Sequence, residues 1–207
     1  ADVRFEYLHP HRVYEVVDQG QADIGLVSYP EESPSLAAIP WRSEPIVLVC
    51  YPEHPLAKRQ TVSLGMLRNE QFVAFQDGLR IRDEIDTALA AGKVSVQVTL
   101  AFDNIETIKR AIEIGAGISL LPEPTVAREI AAGSLVQISV EEISLARPLG
   151  IIHRRDRKLS ETAQRFISLL QSQAAPVSEV EMPVLIGASE SNGHPAEKQL
   201  AASNIAS

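Results

Sequence analysis

The histidines and the single cysteine are the first residues to consider as metal ligands or nucleophiles, and their spacing favours neither role. His9 and His11 stand two positions apart around a proline, and no cysteine or cluster of carboxylates follows nearby to complete a metal site. His54 belongs to the stretch His-Pro-Leu-Ala, His153 ends a predicted strand, and no nucleophile accompanies either. Cys50 ends an apolar run and is the only cysteine, so we predict a buried strand thiol with no internal disulfide. We expect no metal and no cofactor.

The motifs of common enzyme classes do not accompany these residues. Gly-x-Ser-x-Gly, the P-loop and Gly-x-Gly-x-x-Gly are absent from the sequence, and the pair Gly115 and Gly117 leads into a predicted strand instead of a helix. We therefore do not predict an enzyme.

Polar and flexible residues that follow three predicted strands are better candidates for ligand contact. They are Ser28 after the strand 24–27, Gln76, Gly78, Leu79 and Arg80 after the strand 72–75, and Phe102, Asp103 and Asn104 after the strand 94–100. Ligands of open α/β sheets bind where strands end and helices begin, because unpaired N–H groups and the helix dipole favour anions there. A glycine at position 78 would let backbone N–H groups come close to a ligand.

Each of these candidates also has a purely structural interpretation. Ser28 could form a local turn or face solvent. Arg80 could be solvated or paired with a nearby aspartate, as surface arginines on helices usually are. Asp103, three residues before Glu106, fits a helix N-cap better than a ligand contact, and its charge would partly offset the attraction of that helix end for anions.

The elements that must position these residues alternate between strand-like apolar runs and helical patterns, which predicts an α/β fold with parallel-type sheets. Strands are predicted over 3–8, 24–27, 46–51, 72–75, 94–100, 118–121, 135–138 and 149–153. Apolar residues at helical spacing predict helices over 82–91, from Ile105 and after Ser160. The stiff stretch Pro52–Pro55 and the pair Arg147-Pro148 are predicted to be crossings between two lobes.

Composition limits the partners that the chain can bind. The net charge is −8, with 19 basic and 27 acidic residues, and this argues against nucleic-acid binding by this chain alone. The apolar runs are far shorter than the roughly 20 residues of a membrane-spanning helix, so we predict no membrane partner. The sequence opens without a recognisable secretory leader, and a single cysteine fits the reducing cytoplasm best.

Three stretches together resemble the effector-binding domain of LysR-type transcriptional regulators, over nearly all of residues 1–172. They are the helix-end glycine, aspartate and strand in 20–27, the strand leading into His-Pro-Leu-Ala in 44–57, and the helix, glycine pair and strand ending in proline in 103–122. Each stretch alone is a weak signal. Their order and separations together make the resemblance specific.

The resemblance implies two Rossmann-like lobes of the periplasmic-binding-protein type 2 kind, joined by two crossover strands, with a small-molecule effector in the cleft. The first lobe would comprise 1–50 and 148–172, the second 51–147, and 173–207 would be a disordered tail. The family's DNA-binding helix-turn-helix does not stand in this sequence, and its opening strand and helix of the first lobe also have no counterpart. We therefore expect an incomplete first lobe and DNA contact only through an N-terminal domain of the full-length protein.

The predicted function is thus effector binding and oligomerisation in a LysR-type regulator, as a homodimer or tetramer. The family often has a hydroxyl residue at the position of Ser28 and a small polar one where Phe102 stands, so an aromatic ring would make this cleft drier. In the family, domains pair through the helix near 82–91 and the strand 94–98. The alternatives are a solute-binding protein of a transport system and an enzyme on the same fold, such as a prephenate dehydratase-like domain.

Overall fold

The computed structural model describes residues 3–173. Its helices are α1 (Pro10–Asp18), α2 (Arg80–Ala91), α3 (Ile105–Glu113), α4 (Glu123–Ala132) and α5 (Glu161–Gln173). Its strands are β1 (Gly25–Ser28), β2 (Leu36–Cys50), β3 (Thr61–Val62), β4 (Gln71–Phe75), β5 (Gln97–Phe102), β6 (Ser119–Pro122), β7 (Val136–Val140) and β8 (Ala146–Arg154). Short 3-10 turns occupy Pro55–Lys58 and Leu64–Leu67. None of the helices in this part of the chain has the length and apolarity that a membrane span requires.

The long strand β2 belongs to two sheets. As far as Pro45 it pairs antiparallel with β8, and β1 continues that sheet on the other side of β8. From Ile46 onward β2 pairs with β6 and β7 instead. The chain therefore crosses between the sheets within β2, upstream of Pro52 to Pro55, and it returns through β8.

The second sheet continues from β6 to the parallel strands β4 and β5. Val73 donates its N–H to the carbonyl oxygen of Ile118, and Ile118 donates to Gln71, both at 2.9 Å. Gly117 permits this approach, because a Cβ atom there would lie 2.4 Å from the Gln71 carbonyl oxygen. Since β4 and β5 run parallel and Phe75 is in register with Phe102, both strands end at one edge of the sheet.

Two clusters of buried hydrophobic side chains hold the described residues together. The small cluster, between α1, β1 and the paired parts of β2 and β8, consists of Val17, Val27, Leu36 and Ile152. The large cluster has 24 buried members, contributed by the second half of β2 and by residues 56–138. Cys50 is one of them, and burial raises the pKa of its thiol to about 11, which confirms the prediction of a buried strand thiol.

Most of the predicted elements are present with boundaries shifted by a few residues, and the α/β class is confirmed. The predicted strand 3–8 is wrong: these residues form no strand, because no described strand pairs with them and unpaired backbone groups do not make a sheet. The strand β3, the helix α4 and the first half of β2 were not predicted, and α1 was indicated only by the helix-end glycine of the resemblance. The predicted disordered tail lies, from residue 174 onward, outside the described residues.

Candidate functional site

The turns after β4 and β5 adjoin at one edge of the second sheet. The N–H of Gln76 donates to the carbonyl oxygen of Phe102 at 2.9 Å. Gly78 has a φ of 85°, which a side chain would strain, and no atom lies within 4 Å of where its Cβ would be. Gln76, Gly78 and Arg80 are exposed, whereas Leu79 is half-buried against the large cluster. The structure thus gathers this predicted group around open space at the start of α2.

Two arginines in the first turn of α2 have different roles. Arg82 is mostly buried and donates to the carbonyl oxygen of Phe75 at 2.8 Å, and it also pairs with Asp77 and Asp86 at 2.9 and 2.6 Å. Arg80 makes one pair, with Glu84 at 3.2 Å, and both side chains are exposed. Because an exposed pair of this kind contributes little stability, Arg80 is available for another anion and Arg82 is not.

Ser28 ends β1 opposite Leu149 of β8 and is half-buried. The next residue, Tyr29, has a φ of 51°, and its N–H donates to the carbonyl oxygen of Pro148 at 2.8 Å. The ring of Tyr29 packs against the large cluster, although its backbone adjoins the sheet of the small cluster. Tyr29 therefore spans the junction between the two sheets, directly beside the predicted contact Ser28.

The Tyr29 hydroxyl lies in a charged and desolvated setting. It is buried and has no hydrogen-bond partner among the described residues. Burial raises the pKa of Tyr29 to about 12, the negative charge of Glu84 adds to the rise, and Arg147 and Arg80 act against it. These influences place the hydroxyl within electrostatic reach of the start of α2 and of the crossing strand β8.

A buried ion cluster connects the two crossing strands. Glu44 on β2 is 2% exposed. Its carboxylate forms an ion pair with Arg42 at 2.6 Å and accepts a hydrogen bond from the Nε of Arg147 at 3.0 Å. Glu44 and Arg147 are directly opposite each other in the β2–β8 register. The guanidinium of Arg42 also stacks on Trp41, 4.5 Å from the ring centroid. One carboxylate thus serves two guanidinium groups at the point where the chain changes sheets.

The three residues of the third predicted group, at the end of β5, have different structural roles. Phe102 is half-buried and packs against the large cluster. The interpretation of Asp103 as the helix cap is wrong: the side-chain oxygen of Asn104 accepts from the N–H groups of Glu106 and Thr107 at 2.8 and 3.4 Å. Asn104 has its dihedral angles in the extended region that an N-cap needs, and Asp103 is left exposed before it.

The remaining residues that could bind a metal or take part in catalysis have structural roles. His54 is buried, accepts from the N–H of Leu56 at 3.2 Å and faces Glu70 at 3.5 Å. No group of three His, Cys, Asp or Glu side chains within residues 3–173 is arranged to hold a metal ion. Sequence reasoning missed Tyr29 and Glu44. Their available signals were the position of Tyr29 directly after Ser28 and the opposite charges of Arg42 and Glu44, two positions apart in a mostly apolar stretch.

The family of this chain follows from a comparison of its sequence with known protein families. Residues 1–175 match the family described as the LysR substrate binding domain. This chain is a LysR substrate-binding domain. The predicted resemblance and the predicted effector-binding role are therefore confirmed, and the transport alternative is not favoured.

Relatives of this LysR domain include transcriptional regulators and solved effector-binding domains. The RuBisCO operon transcriptional regulator of Allochromatium vinosum is 25% identical over 173 residues, which are 84% of this chain and 57% of that protein. The regulatory domain of CcmR from Synechocystis PCC6803, solved in complex with 2-PG, is 26% identical with a TM-score of 0.70, covering 80% of this chain and 82% of that one.

The effector-binding domain of QuiR, solved in complex with shikimate, is 19% identical with a TM-score of 0.67, covering 78% and 76% of the two chains, and it shows the shared fold. The fold of this LysR domain is thus the periplasmic-binding-protein-like fold that was predicted. The chain spans about half the length of the curated relatives that it matches.

Proposed function

We propose that this domain binds a small-molecule effector in a cleft between two lobes. The first lobe comprises 1–50 and 148–172, and the second comprises 51–147. The contacts are the residues at strand ends and helix starts, namely Ser28, Gln76, Gly78, Leu79, Arg80, Phe102, Asp103 and Asn104. The observation that carries this proposal is Tyr29, whose N–H is bonded to Pro148 of β8 and whose ring packs against the large cluster, since it connects the end of β1 with the second sheet.

The complexes of CcmR with 2-PG and of QuiR with shikimate support a small-molecule effector for this domain as well. The relatives are transcriptional regulators, which supports a binding role over catalysis. With a net charge of −8, this domain does not supply the basic surface that DNA needs. DNA binding therefore belongs to another part of the full-length protein, which acts in the cytoplasm.

Effector binding acts by closing the second lobe on the first, with rotation about β2 and β8. An effector that prefers the closed form shifts the population toward it, with a coupling of roughly 1–3 kcal/mol, while equal affinity for both forms shifts nothing. Small-angle scattering with and without saturating effector tests this mechanism. An unchanged radius of gyration at saturation contradicts closure.

Two substitutions in the full-length regulator test the site. Ser28→Ala should weaken effector binding by about 0.5–1.5 kcal/mol, the value of one neutral hydrogen bond. Phe102→Ala should weaken or broaden the effector response while the protein stays folded, because Phe102 is only partly buried against the large cluster. Effector titrations of promoter binding provide the measurement. Unchanged responses in both variants would remove this cleft from consideration, and loss of soluble Phe102→Ala protein would assign that ring to the core.

A second copy of the chain is the proposed partner at the outer edge of the second sheet. Strand β5 is an edge strand that exposes Val98 and Leu100, at 46% and 40% of their surfaces, beside the groove along α2. Exposed apolar edges of this kind favour association. Val98→Lys should reduce self-association in sedimentation experiments, whereas Leu169→Lys, on exposed α5, serves as the control. Equal association of both variants contradicts this contact, and homodimers or tetramers then form elsewhere.

A further inference from the structure

Residues 3–8 belong to neither of the two hydrophobic clusters. They form no helix, turn or strand, and none of their backbone groups bonds to another backbone group within residues 3–173. Val3, Phe5 and Tyr7 expose 47%, 71% and 100% of their surfaces. Unpaired backbone groups together with exposed apolar side chains are the features of a strand edge, and such edges tend to pair with another chain.

This segment is nevertheless attached to the body of the domain at two points. The ring of Phe5 packs edge-on against Phe166 of α5, with the ring centroids 5.9 Å apart. The helix α1 begins at Pro10, directly after the segment. A contact made by residues 3–7 would therefore join two domains and not merely two loose chain ends.

The order of side chains in the segment Val3-Arg4-Phe5-Glu6-Tyr7 is self-complementary. When two copies run antiparallel about Phe5, Arg4 of each copy faces Glu6 of the other. Phe5 then faces its own counterpart, and Val3 faces Tyr7. Because side chains alternate between the faces of a strand, the apolar pairs lie on one face and both ion pairs on the other. Opposite charges and apolar pairs directly across from each other stabilise an antiparallel pair of strands.

Other arrangements of the same two segments place their charges badly. A shift by two residues sets Arg4 against Arg4 or Glu6 against Glu6, and a shift by one sets each charge against an apolar side chain. Parallel pairing in register brings both like-charge pairs together, which is destabilising. Neither charge forms an ion pair with another residue in 3–173. The charge pattern thus selects one register, the antiparallel one centred on Phe5.

We propose that residues 3–7 form a two-fold contact with a second copy of this chain, as an antiparallel strand pair centred on Phe5. The second copy supplies the backbone partner that the segment lacks within one chain, and these residues then form the strand that the sequence predicted. Because the same five residues contribute from both copies, the contact closes after two chains. It is independent of the effector cleft and distinct from the contact at Val98, which lies on β5 of the second sheet.

Charge reversal tests this pairing by sedimentation equilibrium. The 207-residue chain is measured up to about 1 mM, because a short strand pair forms a weak dimer. All chains carry Val98→Lys, so that the contact at β5 does not contribute. Arg4→Glu and Glu6→Arg should each raise the dissociation constant of self-association about tenfold, because both ion pairs become like-charge pairs. An equimolar mixture of the two variants should associate at least as tightly as the unreversed chain, since every Glu then faces an Arg.

The matched controls carry the same changes of charge elsewhere. Arg128→Glu and Glu53→Arg alter exposed residues on other parts of the domain, and they should leave self-association unchanged. Arg4 and Glu6 are exposed too, so their variants should keep the melting temperature of the unreversed chain. Equal association of Arg4→Glu and Arg128→Glu overturns the pairing. A mixture that associates no better than its components, or an unreversed chain that stays monomeric at every concentration, overturns it as well.

Disulfide trapping tests the register. Position 5 lies on the two-fold axis, where the Cα atoms of facing residues are about 5 Å apart, so Phe5→Cys should form an intermolecular disulfide when oxidised with diamide. Tyr7→Cys is the matched control, because the two copies of position 7 are about 13 Å apart in this register and should not cross-link. The native Cys50 is buried and does not compete. Equal yields for the two variants, or no disulfide in Phe5→Cys, overturn the pairing centred on Phe5.

Discussion

The sheet around the small cluster and the sheet around the large cluster are stabilised in different ways. Four side chains form the small cluster, and the long strands β2 and β8 supply most of the order around it. The large cluster buries 24 side chains between its sheet and the helices α2, α3 and α4. The candidate site lies where these regions meet. The second region is therefore the more extensively packed of the two, and the first depends more on the pairing of its long strands.

A pair of matched core substitutions should give the largest difference between the regions. Ile112 and Ile152 are both fully buried, in the large and the small cluster respectively. Ile112→Ala should lower the free energy of unfolding by about 4 kcal/mol, and Ile152→Ala by about 2 kcal/mol, because a sparsely packed site collapses more easily around the cavity. Urea unfolding followed by circular dichroism measures both values. Equal losses would show that the two clusters are equally well packed.

Removing the buried charge that β2 and β8 share should have the next largest effect. Glu44→Gln leaves Arg42 and Arg147 without their shared carboxylate, and we expect a loss of about 2 kcal/mol, below the usual range for buried pairs because Arg42 is partly exposed. Glu161→Gln is the control, since its pair with Arg165 is exposed and worth little. A difference between these two variants of less than about 0.5 kcal/mol would mean that the ion cluster does not stabilise the pairing of β2 with β8.

The helices α1 and α3 differ in their N-caps. Asn104 caps α3 on the large cluster, whereas α1 on the small cluster begins at His9 with no side-chain cap. Asn104→Ala should cost about 1 kcal/mol, and Asp103→Ala should cost nearly nothing. His9→Asp should instead stabilise the protein by about 0.5 kcal/mol, because it adds both a cap and a favourable charge at the helix start. Thermal unfolding measures all three, and a large loss for Asp103→Ala would restore that residue as the cap.

Lowering the pH should produce the smallest of these changes in stability, through the pair of Lys109 and Glu129 beside the large cluster. A hydrogen bond from Lys109 at 2.9 Å is the main reason that the pKa of Glu129 is lowered, outweighing burial, which raises it. Since the folded pKa is below the unfolded one, this stabilisation is complete above about pH 4.5 and is lost as the pH falls through the folded pKa. Glu129→Gln should therefore lose less stability between pH 6 and pH 3 than the original chain. An identical pH profile would contradict the contribution of this pair.

The sequence predicted best those elements whose signal is local. Apolar runs marked β4, β6 and β7, and helical spacing marked α2 and α3. The first half of β2 contains Pro40 and Pro45 and alternates only weakly, and its strand character comes from pairing with β8, a partner more than 100 residues away that no local pattern reveals. Pro124 in the first turn of α4 is a signal for the start of a helix. A prediction based on apolar residues at helical spacing did not use this signal and missed the helix.

The candidate site could be predicted in position but not in detail. Strand ends and helix starts pointed to Ser28 and to 76–80, because topology alone places ligands there. Whether Asp103 or Asn104 caps α3 depends on a shift of one residue in the start of the helix, and composition does not determine that start. The conformation of Tyr29 depends on its bond to Pro148 of β8, and nothing in the residue type itself indicates a positive φ there.

The continuity of β2 has a mechanical consequence. Fifteen residues in extended conformation form a rod of roughly 50 Å that carries no loop between the two sheets. Such a rod resists bending, and with β8 bonded along its first half it resists it further. We therefore expect any relative motion of the sheets to be torsional, a change in ribbon twist spread over many residues, with the bulge between Pro40 and Arg42 as the point that yields first. A torsional element of this kind permits small, reversible angles and prevents the wide swings that a flexible linker would allow.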